Sequence, residues 1–254
     1  MGVLNVTPDS FSDGGQFSAP ERALAQARRM IAEGADIIDI GAESTRPYGA
    51  QPISAEEELR RLRPVLGEAV ALGAPVSIDS MKSAVVAWAL GAGAGIANDV
   101  WGLQRDPDMA KVVAEHRVPV IVMHNRDHAD AGIDIMQDIA AFFARSIEIA
   151  TRAGISPGNI VLDPGIGFGK TPEQSMTALA RLNEFGAFGL PLLVGASRKR
   201  FISSVTPSEP HQRLAGSIAA HLVAANGGAR IIRTHDVLET VQALRVAAAI
   251  WDKR

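Results

Sequence analysis

The chain has 254 residues, 47% hydrophobic, with 24 Gly and 14 Pro, enough to bury a large core in one α/β barrel or two small domains and enough to exclude a disordered chain. Its formal net charge of -3 gives no electrostatic reason to expect nucleic acid or an anionic membrane as partner, and the absence of cysteine excludes disulfides, thiolate catalysis and cysteine-ligated metal. No apolar run reaches the roughly 18 residues of a membrane span and no basic-then-apolar stretch reads as a leader, so a soluble, cytoplasmic protein is expected.

Short apolar strand candidates alternate with helical periodicity along the chain. The opening strand, Val3 to Val6, runs into a loop of Thr, Pro, Asp, Ser and paired glycines. Ser18-Ala19-Pro20-Glu21 then reads as a capped helix start, with apolar positions at helical spacing through Ile31 until Gly34 stops them. A strand at Ile37 to Ile40 follows. Ser54-Ala55-Glu56-Glu57 is a second capping box, opening a helix that ends near Gly73, before a strand at Val76 to Ile78. Further strands are predicted around Ile96-Ala97, Val118 to Met123, Ile160 to Leu162, Leu192 to Val194 and Ile231-Ile232. Between them fall helices near Ala84 to Leu90, Met109 to His116, Ile135 to Ala153, Glu173 to Phe185, Gln212 to Ala225 and Val237 to Trp251. Eight βα units at this length predict an α/β fold, a single (β/α)8 TIM barrel over residues 1–254, rather than an open doubly wound sheet.

In such a barrel the chemistry sits where strands end. The strand ends carry Asn5; Asp39 with Glu43-Ser44-Thr45-Arg46; Asp79; Asn98-Asp99; His124-Asn125; Asp163; Ser197-Arg198-Lys199; and Arg233-Thr234-His235. Singly, an Asp or Asn there often caps the next helix. Jointly they ask for a polar ligand, because burying so many carboxylates and amides costs free energy unless something pairs with them. Two motifs fail on context. GIGFGKT, residues 165–171, ends like a phosphate-binding P-loop, but Pro164 stands where that motif needs glycine. GAGAG, Gly91 to Gly95, follows a helix and precedes a strand, the reverse of the dinucleotide fingerprint. His124 and His128 have i,i+4 spacing, but Asn125, Asp127 and Gly132 point to a loop rather than a helical metal pair.

LNVTPDSFSDGG (Leu4 to Gly15), DIGAESTRP (Asp39 to Pro47), IDS (Ile78 to Ser80), NDV (Asn98 to Val100), LDPGIGFGK (Leu162 to Lys170), LLVGASRK (Leu192 to Lys199) and IIRTHDV (Ile231 to Val237) together resemble the dihydropteroate synthase family of folate biosynthesis. The resemblance spans almost the whole chain. It implies a TIM-barrel transferase, a homodimer in that family and a sulfonamide target, that joins 4-aminobenzoate to 6-hydroxymethyl-7,8-dihydropterin pyrophosphate with Mg2+ and releases pyrophosphate. By the same resemblance Asp163 takes the donor edge of the pterin, Asn98 and Asp79 bind other ring positions, Lys199 donates to the acceptor side and Met123 gives apolar contact. Asn5 is implied as the Mg2+ ligand, and Arg46, Arg233 and His235 as the residues on the pyrophosphate oxygens. Thr45, Pro47, Phe168, Ser197 and Lys199 are implied around the aminobenzoate, with Ser197 expected at a helix N-terminus, where backbone N–H groups and the helix dipole favour a carboxylate. The loop Thr7 to Gly15 would close over the reacting atoms, with Asp13 and Phe11 helping to hold metal or aminobenzoate.

The chemistry fits these residue types. A pterin presents an amino and ring N–H edge suited to a carboxylate, and acceptors suited to an amide or ammonium. Cations and a metal aimed at the leaving oxygens lower the barrier to pyrophosphate departure. Three departures from the family pattern stand out. STRPYGA places Tyr48 as an insertion beside the aminobenzoate pocket, either reshaping its rim against bulkier sulfonamides or pointing to solvent. MHNRDHADAG, Met123 to Gly132, differs from the usual Met-His followed by a Gln-Gly turn, and the chain begins almost at its first strand. A methyltetrahydrofolate-corrinoid methyltransferase shares the pterin-binding barrel without a pyrophosphate clamp, and a non-catalytic pterin-binding protein could lose the cations. Ser197-Arg198-Lys199 and Arg233-Thr234-His235 discriminate against the first, and Asn5, Arg46, Arg233 and His235 against the second.

Overall fold

The computed structural model describes residues 1–7, 19–43 and 52–253. Eight parallel strands run in sequence order: β1 (Gly2–Asn5), β2 (Ile38–Gly41), β3 (Val76–Asp79), β4 (Ile96–Asp99), β5 (Val120–Met123), β6 (Ile160–Asp163), β7 (Leu192–Val194) and β8 (Ala229–Ile232). The ends of the sheet meet. Gly2 pairs in parallel with Thr234, just beyond β8, where Val3 N–H donates to the Thr234 carbonyl and Thr234 N–H to that of Met1, each at 3.0 Å.

Strand parity sorts the side chains. Ile38, Ile40, Val76, Ile78, Ala97, Val120, Val122, Ile160, Leu162, Leu192, Val194 and Ile232 belong to the main core between strands and helices. Residues of the opposite parity face the lumen, since successive strand side chains alternate. At one level these are apolar: Met1, Ile121 and Leu193 pack with Ile37, Ile96, Val161 and Ile231. Towards the strand C-termini the same parity carries Asp39, Asp79, Asn98, Met123 and Asp163, with Arg233 continuing the line from β8. An apolar plug thus lies beneath a polar mouth.

The outer helices are α1 (Ala19–Ala32), α2 (Ala55–Leu62), α3 (Leu66–Val70), α4 (Ser83–Gly91), α5 (Met109–His116), α6 (Ile135–Ala153), α7 (Pro172–Ala180), α8 (Arg200–Val205), α9 (Leu214–Asn226) and α10 (Val237–Trp251). Several starts carry side-chain caps, of which the sequence alone names Ser54. Ser54 accepts the Glu57 N–H at 3.1 Å, Asp134 accepts those of Met136 and Gln137, and Thr171 with Gln174 forms a reciprocal capping box at Pro172. The structure corrects three boundaries. The helix expected from Ser54 to near Gly73 is two, α2 and α3, because Pro64 cannot continue the hydrogen-bond ladder. The one expected at Glu173 to Phe185 ends at Ala180 and passes into a 3-10 stretch at Leu182–Phe188. The one expected from Gln212 begins at Leu214, after a single 3-10 turn at Pro210–Gln212, and the helix expected to start at Ser197 is the short α8, which opens at Arg200.

The loop after β6 is set by glycine. Gly165 has φ 65°, and a β-carbon there would stand 1.9 Å from the His124 carbonyl oxygen. Only a bare backbone lets the β6–α7 loop lie flat on the end of β5.

Candidate active site

The lumen polar groups are bonded to one another across the barrel. Arg233 donates from Nε to Asp39 Oδ2 at 2.6 Å and from Nη2 to Asp79 Oδ2 at 2.7 Å. Asn98 Nδ2 lies 3.2 Å from both carboxylate oxygens of Asp39. These bonds join β8 to β2 and β3, and β4 to β2, pairs that are not sheet neighbours and can meet only through the barrel interior. Asp79 Oδ1 is buried with no hydrogen-bond partner, as is the Ser77 hydroxyl on the same strand parity. An acceptor left this way inside a polar mouth calls for a ligand N–H.

Burial lifts the Asp79 carboxyl to about 7 against the pull of Arg233, with Asp39 adding to the rise. Arg233 stays protonated, because burial opposes its charge but Asp39 and Asp79 outweigh burial. Asp163, at the end of β6, is raised to about 6 by burial, partly relieved by the Gly165 N–H it accepts at 2.7 Å and by Lys199. Carboxyls raised by burial and gathered in one polar mouth mark a candidate binding site.

Beside Asp163 lies an apolar wall of Val100, Met123 and Phe168, with Met81 and Trp101 against it. The Lys199 ammonium stands 3.9 Å from the centroid of the Phe168 ring, so the ring is held by a cation–π contact. Lys199, Met123 and Phe168 therefore come together with Asp163, as expected from the sequence. Met123 and Asp163 are also register partners on β5 and β6.

At the rim, Ser197 Oγ accepts the His235 backbone N–H at 3.2 Å and lies 2.9 Å from His235 Nδ1. Burial, then Arg233, Arg198 and Lys199, push the His235 ring down to about 3, so it is neutral at pH 7. In the tautomer protonated at Nε2, the Ser197 hydroxyl donates to Nδ1 and the Nε2–H is left for a ligand. This corrects the placement of Ser197 at a helix N-terminus. The N-cap of α8 is Lys199, and Ser197 is instead the support of His235. Of the basic run, Arg198 is ion-paired with Asp236.

Asn5 ends β1 in register with Gly41 on β2, at the same mouth. Among the described residues no group of three or more His, Asp or Glu converges as a metal cage. Mg2+ needs no such cage when it arrives on phosphates, since it keeps water and takes one or two protein oxygens. A neutral amide oxygen from Asn5 suits that use. Phe11, Asp13, Thr45, Arg46, Pro47 and Tyr48 lie outside the described residues.

Other strand-end residues prove to be braces. Lys82 bridges Glu43 and the fully buried Glu58, and Glu43 Oε1 also accepts the Ile53 N–H at 3.1 Å, closing the base of the β2–α2 loop. Asp99 accepts the Trp101 and Leu103 N–H groups at 2.9 and 2.7 Å. His124 does not share a site with His128. It bonds Lys170 and Asp138, while His128 is exposed. The role of Asp39 was missed by sequence reasoning, although its parity on β2, in register with Ser77 rather than Ile78, carried the signal.

A family model described as pterin-binding enzyme matches residues 1–235. The chain is 44% identical over 254 residues to the dihydropteroate synthase of Bacillus subtilis (strain 168), covering all of this chain and 88% of that one. It superposes with a TM-score of 0.95 on the Xanthomonas albilineans dihydropteroate synthase with 4-aminobenzoic acid, at 46% identity over 98% of this chain and 92% of that one. With the same enzyme in complex with 7,8-dihydropteroate the TM-score is 0.90, at 44% identity and with 98% and 92% of the two chains covered. A closed βα barrel whose mouth gathers Asp39, Asp79, Asn98, Asp163 and Arg233, and a match of this extent, place the chain in the dihydropteroate synthase family of pterin-binding enzymes.

Proposed function

We infer that this chain condenses 6-hydroxymethyl-7,8-dihydropterin pyrophosphate with 4-aminobenzoate, yielding 7,8-dihydropteroate and pyrophosphate in folate biosynthesis. The observation that carries the reading is the ring of buried carboxylates around Arg233, with Asp79 Oδ1 unpaired and Asp163 raised in pKa by burial. A flat heterocycle with several N–H donors supplies what these groups lack.

In this reading Asp163 accepts from the pterin amino and ring N–H edge, Asp79 Oδ1 accepts a further ring donor, Asn98 and Lys199 meet the acceptor side, and Met123 covers a ring face. Asn98 is already oriented by Asp39, and Lys199 by the Phe168 ring. Arg233 is held on two carboxylates through Nε and Nη2, and in this reading its Nη1 donors and the His235 Nε2–H go to phosphate oxygens. Arg46 completes the pyrophosphate clamp. When bound, Mg2+ supplies further charge neutralisation on the leaving phosphates, with Asn5 as its protein oxygen.

Positive charge develops on the pterin methylene as pyrophosphate leaves. The buried carboxylates stabilise that charge while the cations stabilise the leaving group, which favours pyrophosphate loss before amine attack. The arylamine is already neutral at pH 7 and needs no strong base. Phe168, Ser197 and Lys199 border its pocket, and Thr45, Pro47, Phe11 and Asp13, which lie outside the described residues, are assigned to the same substrate by the family resemblance. One barrel domain over residues 1–254 carries both half-sites.

The decisive assay follows pyrophosphate and dihydropteroate in parallel, with Mg2+ and the dihydropterin pyrophosphate, with and without 4-aminobenzoate. Stoichiometric product supports the synthase. Pterin binding without turnover would move the reading to a binding protein, and absence of any pyrophosphate release or positional isotope exchange ahead of C–N bond formation would remove the stepwise order.

Tyr48 restricts sulfonamides larger than the substrate. Equal inhibition of the wild type and of a Tyr48 deletion would dispose of that role. The protein acts as a homodimer through α8, α9 and α10, which expose Val205, Val223, Leu238, Val246 and Ile250. A monomer in sedimentation velocity at micromolar concentration would refute it. In this reading the enzyme is cytoplasmic and its partners are these two small molecules and its own copy, with no nucleic acid or membrane. No helix among the described residues is long and apolar enough to cross a membrane.

A further inference from the structure

Behind the apolar wall lies a buried polar chain that the proposed reaction does not use. The Lys170 ammonium, almost fully buried, donates to His124 Nδ1 at 2.6 Å and to the Phe168 carbonyl at 3.1 Å, and lies 3.5 Å from the His124 carbonyl. On its other side, His124 Nε2 lies 2.9 Å from Asp138 Oδ2 on α6. Asp138 can only accept, so the His124 proton is on Nε2 and the Nδ1 lone pair faces Lys170. The chain Asp138–His124–Lys170 thus ends on the backbone of Phe168. Its outer end is wet. Asp138 also pairs with Arg126 at 2.9 Å and lines an open pocket of about 740 Å³ with Trp101, Arg105 and Arg145.

The energetic stakes follow from burial. Removing Lys170 would leave the His124 Nδ1 and Phe168 carbonyl acceptors without their partner in a buried site. The pterin-reading groups Asp79, Asn98 and Asp163 lie on strands, fixed by the sheet. Phe168 does not. It sits in a loop with glycines at positive φ on both sides, Gly167 at 81° and Gly169 at 52°, where its N–H donates to the Gly165 carbonyl, the Gly167 N–H to Ser175 Oγ, and its own carbonyl accepts from Lys170.

We propose that Lys170 is a positioning residue for the aminobenzoate half-site, acting through the Phe168 carbonyl, and that His124 and Asp138 hold its ammonium in place. The proposal rests on the synthase reading, in which the Phe168 ring borders the aminobenzoate. It predicts that the two half-sites separate. Lys170→Met, close in volume but without donors, raises KM for 4-aminobenzoate about tenfold while KM for the dihydropterin pyrophosphate stays within about twofold. Asp138→Ala, at the partly exposed end, raises the aminobenzoate KM about threefold, and the double variant is no worse than Lys170→Met alone, because both act through one chain. Arg126→Ala removes the other partner of Asp138 and leaves both KM values unchanged.

These values come from steady-state kinetics on the full chain with each substrate varied, alongside melting temperatures. An unchanged aminobenzoate KM in Lys170→Met, or both KM values rising together with a lower melting temperature, overturns the proposal. So do effects of the two substitutions that multiply. If Lys170→Met does not fold, Asp138→Ala decides by itself, and an unmoved aminobenzoate KM refutes the chain. A wild type that makes no dihydropteroate counts against the synthase reading and this proposal together. An active wild type with both variants unmoved counts against the proposal alone.

Discussion

Asp163 shows how a single residue trades stability for recognition. Lifting a carboxyl from about 3.9 to about 6 means that the empty folded protein binds a proton more tightly than the unfolded chain. The penalty for ionisation is therefore absent below pH 3.9, grows between there and pH 6, and is fully present above, at roughly 3 kcal/mol. Asp163→Asn removes it while keeping an oxygen for the Gly165 N–H. At pH 8 the empty variant should melt several degrees higher by calorimetry, yet lose kcat/KM for the dihydropterin pyrophosphate by about 100-fold or more, because an acceptor facing the ring donors is lost. A lower melting point would show that burial is not what raises this carboxyl. In the wild type, kcat/KM for that substrate should fall as pH drops through 6, when the free enzyme's carboxylate takes a proton.

At the scale of elements, the β6–α7 loop decides whether the site exists. Its sequence, Pro164 to Lys170, resembles a phosphate loop and is not one. Its glycines serve close packing on the β5–α6 loop, where a β-carbon at Gly165 would overlap the His124 carbonyl and one at Gly169 would lie 2.6 Å from that of Arg126. Gly165→Ala should lower the melting temperature by at least about 6 °C, corresponding to roughly 3 kcal/mol from clash and positive φ, and raise KM for both substrates. Scanning fluorimetry checks it, and a variant as stable as the wild type would mean that the two loops are not in contact. The same element explains the helix boundaries. Capping residues are local signals and Ser54 placed the start of α2 correctly, whereas the ends of α3 and α7 depend on what the helix meets in the barrel.

Across the whole molecule, Arg233 is both the electrostatic centre and a tie between distant strands. It links the last strand to the second and third through the lumen, so its loss strands two buried carboxylates in the middle of the barrel. Arg233→Ala should be inactive and should lose about 3–5 kcal/mol of stability at pH 8, a fall in melting temperature on the order of 10 °C. The deficit should narrow at pH 6. Asp79 already sits at about 7 beside Arg233, and without the cation it takes up its proton more readily, which relieves the uncompensated charge. A deficit that is the same at both pH values would mean that the ion pairs do not stabilise the fold.

The alternation of strands and helices, the capping boxes and the polar residues at nearly every strand end are local patterns, so the barrel and most of its mouth were legible in the sequence by itself. Asp79, Asn98, Asp163, Arg233 and His235 could be named because strand-end position and residue chemistry agree. What the sequence could not contain is which of those groups touch across the lumen. Asp39 looked like one more strand-end carboxylate until the closed barrel placed it between Arg233 and Asn98. Ser197 read as a helix-start residue until the loops put it under His235, and Lys170 as part of a failed motif until burial set it between His124 and Phe168. Partners far apart in the chain are chosen by closure of the sheet and by the cost of leaving a buried polar group unpaired, and those are decided only when the whole barrel has formed.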